Sequence, residues 1–133
     1  MTGLILLLAA QAAEPTSIEG MWRSPGGNSI IAIALCGGAA LCGTVAWASE
    51  RAKKASSKTT DQLVGMQLLT NLQQGKDGRW RGRLFIPDKN MRVTAKIELV
   101  SDEQLKVSGC LAGKALCRAD VWTRTTDPPP APH

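Results

Sequence analysis

The chain has 133 residues, a net charge of +5, and four Trp, one Phe and no Tyr. That length supports one modest core and not two, and the thin aromatic supply leaves Leu, Ile, Val, Ala and Met to fill it. The single histidine, His133, ends the chain, which excludes a His-dependent triad, a His-ligated metal and most His general-base schemes.

Met1 to Ala12 carries no charged side chain and closes on Ala10-Gln11-Ala12, the small-x-small pattern of a secretory signal that is cleaved after export. The run is too short to span a bilayer, which takes roughly 20 apolar residues. Gly20 to Ser24 reads as a first strand, stopped by Pro25-Gly26-Gly27. Ser29 to Ala48 holds no charge and is followed by Arg51, Lys53 and Lys54, so one reading is a transmembrane helix that would place the protein in the inner membrane. Gly37-Gly38 at its centre, flanked by Cys36 and Cys42, favours the other reading, a β-hairpin. Ile30, Ile31, Ile33, Val45 and Trp47 are residues that favour strands.

Glu50 to Asp61 is polar and basic and is expected to be a solvated loop. Its cations have no interleaved aromatics, so nucleic acid is not an expected partner. Leu63 to Leu72 is ambiguous, because Leu63, Met66 and Leu69 fall at helical spacing while Gly65 opposes a long helix; a short strand is expected. Gln73 to Gly78 is turn material. Arg79 to Ile86 alternates, with Trp80, Gly82, Leu84 and Ile86 on one face and Arg79, Arg81, Arg83 and Phe85 on the other. That Arg row is either a solvated outer face or a clamp for an anionic partner. After the turn Pro87 to Asn90, Met91 to Val100 alternates again, setting Val93, Ala95, Ile97 and Leu99 against Arg92, Thr94, Lys96 and Glu98. Leu105 to Arg124 reads as a hairpin turning at Gly113-Lys114 between Cys110 and Cys117. From Thr125 to His133 the Pro-rich tail is expected to be disordered.

Four cysteines in two close pairs imply disulfides in an exported protein. Of the three possible pairings, Cys36–Cys42 with Cys110–Cys117 is expected, because each pair straddles its own Gly-containing turn. Such small rings each contribute on the order of 2 kcal/mol in the loop-entropy model. A Cys₄ zinc site is the rival, but its usual spacing is two to four residues, and here five and six intervene. Seven or eight short strands at regular spacing, with no βαβ alternation, indicate an all-β barrel or sandwich.

The order and spacing of Gly20-Met21-Trp22, Leu41-Cys42-Gly43 with Val45 and Trp47, Gly65 before Leu68-Leu69, Trp80-Arg81-Gly82 with Pro87-Asp88, Gly109-Cys110 and Trp122-Thr123-Arg124 resemble a bacterial exported family catalogued as domain-of-unknown-function family 2147. The resemblance covers Ile18 to Arg124. It implies a periplasmic, lipocalin-like (calycin-type) antiparallel β-barrel of about eight strands and unassigned activity. It also implies that Trp22 on the first strand and Arg124 on the last form a structural seam, the cation stacked on the indole.

The carboxylates Asp61, Asp77, Asp88, Asp102 and Asp120 form no recognisable acid/base pair, so neither catalysis nor a cofactor or metal is expected. The expected role is binding of a small apolar or amphipathic ligand in the barrel interior. Trp47, Trp80, Ile97, Leu99 and Val107 are the inward-pointing candidates, and simple core packing is the competing role for the same five residues. The alternative is an envelope protein that meets anionic lipid, peptidoglycan or a protein partner through Arg79, Arg81 and Arg83.

Overall fold

Period-two alternation of apolar and polar residues, broken every dozen residues by Gly, Pro, Asp or Asn, gives short strands with one dry face that must be covered. The computed structural model describes residues 17–110 and 117–126, and in it that face is covered by closure. Its strands are β1 (Gly20–Arg23), β2 (Ser29–Gly37), β3 (Ala40–Ala48), β4 (Gln67–Gln74), β5 (Trp80–Ile86), β6 (Met91–Ser101), β7 (Gln104–Cys110) and β8 (Cys117–Thr125). Each pairs antiparallel with the next, and β8 pairs with β1, so an eight-stranded meander closes on itself and leaves no free sheet edge.

Alternation sets the inside and the outside. On β6, Val93, Ala95 and Ile97 are buried while Arg92 and Thr94 are exposed, and on β7 Leu105 and Val107 are buried while Lys106 is exposed. The register places Ile97 opposite Val107 and Leu99 opposite Leu105, so these side chains meet in one layer, each full burial contributing about 1.5–3 kcal/mol. The middle of the barrel is filled. A hollow wide enough for a ligand would leave its walls reachable by a water-sized sphere, yet Trp22, Leu69, Leu72, Ala95, Ile97 and Leu105 are all 0% exposed.

Two β-bulges decide which residues face inward. Ile30 pairs with Trp47 but Ile31 pairs with Val45, so Ala46 is the extra residue. Val45 and Ala48 therefore join the core, and Trp47 swings to the outer face opposite Ile30. The expectation that Trp47 points inward is corrected by that one inserted residue. On β4, Thr70 pairs with Arg83 and Gln73 with Arg81, with Asn71 at φ 53°. Leu69 and Leu72, three apart, both reach the core as a result.

The polar stretch after β3 is not wholly a loop: Glu50–Ala55 forms a short helix, α1. The Ser49 hydroxyl accepts from the Ala52 N–H at 3.1 Å and donates to Asn28 Oδ1 at 2.8 Å. It is an N-cap of the kind that contributes about 1 kcal/mol. Strand limits also move: β4 starts at Gln67 rather than Leu63 and includes Gln73 and Gln74, β6 runs through Ser101, and β8 runs through Thr125, a residue expected in the tail.

Residues 29–48 are a hairpin rather than a membrane helix, and among the described residues no helix is long and apolar enough to cross a bilayer. Both disulfides join the expected partners, with Cα–Cα separations of 5.7 Å for Cys36–Cys42 and 4.1 Å for Cys110–Cys117. All four sulfurs are thereby consumed, which overturns the zinc alternative. The signal segment 1–12, the turn at Gly113-Lys114 and the tail beyond residue 126 lie outside the described residues.

Candidate functional site

The two ends of the barrel differ. One end gathers the start of β1, the β2–β3, β4–β5 and β6–β7 turns and the end of β8, and the chain before β1 lies across part of it. The Trp22 indole N–H donates to the Ile18 carbonyl at 2.8 Å, drawing the chain before β1 across the opening. Arg124 donates to the carbonyls of Asp102, Glu19 and Ser17 at 2.7, 3.0 and 2.9 Å, and its guanidinium carbon lies 4.2 Å from the Trp22 ring centroid. The seam expected of Trp22 and Arg124 is thus a plug: a planar cation ties three chain segments over a buried ring.

The opposite end gathers the β5–β6 turn and α1, and there a cleft of about 420 Å³ lies among described residues of β5, β6, β7 and β8. Its apolar wall is Leu84 and Ile86 from β5 with Met91 and Val93 from β6, which the register sets as the cross-strand pairs Leu84–Val93 and Ile86–Met91. Gly109 keeps the floor low, since a Cβ there would lie 2.9 Å from Val93 Cγ2. Alternation along β8 turns Arg118 and Asp120 to the same side, opposite Gly109 and Val107. Their charges approach to 3.7 Å, and Asp88 and Lys89 add one charge of each sign at the rim. Apolar walls with a few polar groups of both signs suit a small amphipathic molecule.

The five ligand candidates named from sequence are not gathered at this mouth. Ile97 and Val107 point inward but are packed into the filled layer, and Leu99 and Trp80 lie partly buried against it. Trp80 also borders a separate depression beside the β2–β3 hairpin, shared with Gln73 and Gln74. Trp47 is outside. The mouth residues Leu84, Ile86, Met91, Val93, Arg118 and Asp120 were missed as a group. Leu84-x-Ile86 and Met91-x-Val93 were legible as inward pairs, but nothing in the sequence says which end of the barrel stays open.

Arg79, Arg81 and Arg83 do share the outer face, but not one condition. Arg81 grips Asp77 with both terminal nitrogens, at 3.2 and 2.7 Å, and Arg79 reaches Asp77 at 3.8 Å and Glu98 at 3.5 Å. The Arg81 hydrogen bonds, followed by the Arg79 backbone N–H, hold the Asp77 carboxyl well below the usual carboxylate range, and Arg81 is raised in turn. Arg83 has no carboxylate partner among the described residues.

An eight-stranded antiparallel meander that closes on itself, with Arg124 of the last strand stacked on Trp22 of the first, is a lipocalin-like barrel. A family model described as an uncharacterized protein conserved in bacteria (DUF2147) matches residues 20–124, and the chain belongs to that family. No curated protein and no solved structure gives a significant match.

Proposed function

We propose that the protein is an exported, non-catalytic binder of a small apolar or amphipathic molecule, which it takes at the open end of the barrel. The observation that carries this reading is the asymmetry of the ends. Trp22 and Arg124 tie the chain across one end, while the cleft at the other presents Leu84, Ile86, Met91 and Val93 as an apolar wall to a ligand. The filled middle limits the depth of entry, so the ligand sits in the mouth with its polar end toward Arg118 and Asp120. The periplasm is the proposed compartment, because two disulfides in a small bacterial domain need an oxidising environment to persist.

None of the four tryptophans lines the mouth, so intrinsic fluorescence is a poor reporter there. The methyl resonance of Met91 is a direct one. Titration with medium-chain alcohols, fatty acids and small aromatics is expected to shift it saturably with at least one of these classes. A Met91 methyl that does not respond to any of them overturns the reading.

A further inference from the structure

The strands that wall the mouth have a second face, and that face carries its own concavity. A groove of about 410 Å³ runs over the outside of β4, β5 and β6, floored by Met66, Leu68 and Phe85 and edged by Thr70, Arg83 and Arg92. Met66 and Leu68 are half-buried against the core and Arg92 stacks over the Phe85 ring at 4.8 Å, so floor and one edge are held in place. Phe85 pairs with Arg92 and Arg83 stands two residues before Phe85 on the same face, making the two arginines diagonal neighbours about 7–8 Å apart at Cα. That spacing lets two guanidinium groups converge on one anionic head.

The arginines of this groove differ from those beside it. Arg79 and Arg81 are occupied by Asp77 and Glu98, whereas among the described residues neither Arg83 nor Arg92 has a carboxylate within ion-pair distance. Lys96, on the outer face between Arg81 and Ser108, adds to the local positive field. We propose that this groove is a second binding site, separate from the mouth, for a single anionic amphiphile: a phosphate or carboxylate head held between Arg83 and Arg92, with its hydrocarbon chain laid on Leu68, Met66 and Phe85. Concavity selects one such molecule over a bilayer surface, since a flat membrane does not reach a floor recessed behind two long side chains. Arginine suits the role because its planar fork matches both oxyanions in a bidentate way.

The test follows backbone amide resonances of the full exported chain during titration with decyl phosphate, decanoate and decanol. Expected are saturable shifts centred on the groove residues Leu68, Thr70, Arg83, Phe85 and Arg92 with both anions, and affinity at these residues at least about tenfold weaker for decanol, which lacks the charge. Arg83→Gln and Arg92→Gln are each expected to weaken decyl phosphate by about 5- to 20-fold, with Arg92→Lys retaining part of the affinity because it keeps charge and loses the fork. Both positions are exposed, and an unchanged melting temperature confirms that the fold is intact. The Met91 methyl response of the mouth is expected to be the same in these variants, so failure at one site is distinguishable from failure at the other. The proposal is overturned by absent or non-saturating shifts in the groove, by equal affinity for decanol and decyl phosphate, or by binding to phosphatidylglycerol vesicles without binding of the monomeric amphiphiles.

Discussion

The Arg124 guanidinium lies 4.2 Å from the centroid of the Trp22 ring while its nitrogens bind three backbone carbonyls from two other segments. One side chain thus joins the chain before β1, the β6–β7 turn and the last strand. Arg124→Ala removes the stack and all three hydrogen bonds, and urea unfolding is expected to show a loss of about 2–4 kcal/mol. Arg124→Lys is expected to recover less than half of it, because an ammonium has neither the planar face nor the fork.

Gly20 stands where that plug meets β1. Its φ is +128°, and a Cβ there would come within 2.7 Å of Arg124 Nη1. Gly20→Ala is expected to cost about 1–3 kcal/mol, from the strained backbone and from displacing the guanidinium. In an Arg124→Ala background the same change is expected to cost less. A double-mutant cycle in urea measures the difference, and simple additivity would show that the two residues do not interact.

Gly82 marks a closer approach of backbone to backbone. An added Cβ would lie 2.6 Å from the Thr70 carbonyl oxygen and 2.8 Å from that of Asn71, at the β4 bulge. Backbone cannot step aside as a side chain tip can, so Gly82→Ala is expected to destabilise by about 2–3 kcal/mol, visible as a lower melting temperature.

The disulfides act at opposite ends of the barrel, and each closes a short ring. Replacing Cys110 and Cys117 together by Ser is expected to lower stability by about 2–2.5 kcal/mol, and the same exchange at Cys36 and Cys42 by a similar amount, both read by denaturant unfolding. Intact-mass analysis of the exported wild-type protein is expected to show both bridges formed.

Asp77 sets a pH dependence with a definite sign. Its pKa is depressed from an ordinary value of 3.8, chiefly by the Arg81 hydrogen bonds, so the folded state binds this proton less readily than the unfolded chain. Its stabilising contribution is present above about pH 4 and is lost as the pH falls below the unfolded value toward the depressed one. The carboxyl carbon resonance of Asp77 is expected to titrate well below those of ordinary aspartates. In Asp77→Asn the slope of stability against pH below 4 is expected to be shallower.

The strand alternation, the hairpins and the disulfide partners could be read from the sequence because each depends on short-range pattern: period two, turn residues, and cysteines that bracket a turn. What could not be read depends on an extra residue or a distant partner. Ala46 reverses Trp47 without disturbing its neighbours, and Asn71 lets Leu69 and Leu72 share a face at a spacing that mimics a helix. Glu50–Ala55 has no apolar periodicity of its own, and its cap is steadied by Asn28, twenty-one residues earlier. The Arg row was visible, but only the β4–β5 turn shows that Asp77 occupies Arg81 and leaves Arg83 without a carboxylate partner among the described residues. The mouth was least legible, since openness belongs to the ends of the closed sheet and to no single strand.

The most direct measurement follows the Met91 methyl while small apolar and amphipathic molecules are added, alongside the amides of Ile97 and Leu105 in the packed middle. A saturable shift is expected at Met91 and its neighbours Leu84, Ile86 and Val93, with Ile97 and Leu105 unmoved. A ligand that shifts Ile97 and Leu105 while leaving Met91 untouched, or no ligand that shifts Met91 at all, would contradict it.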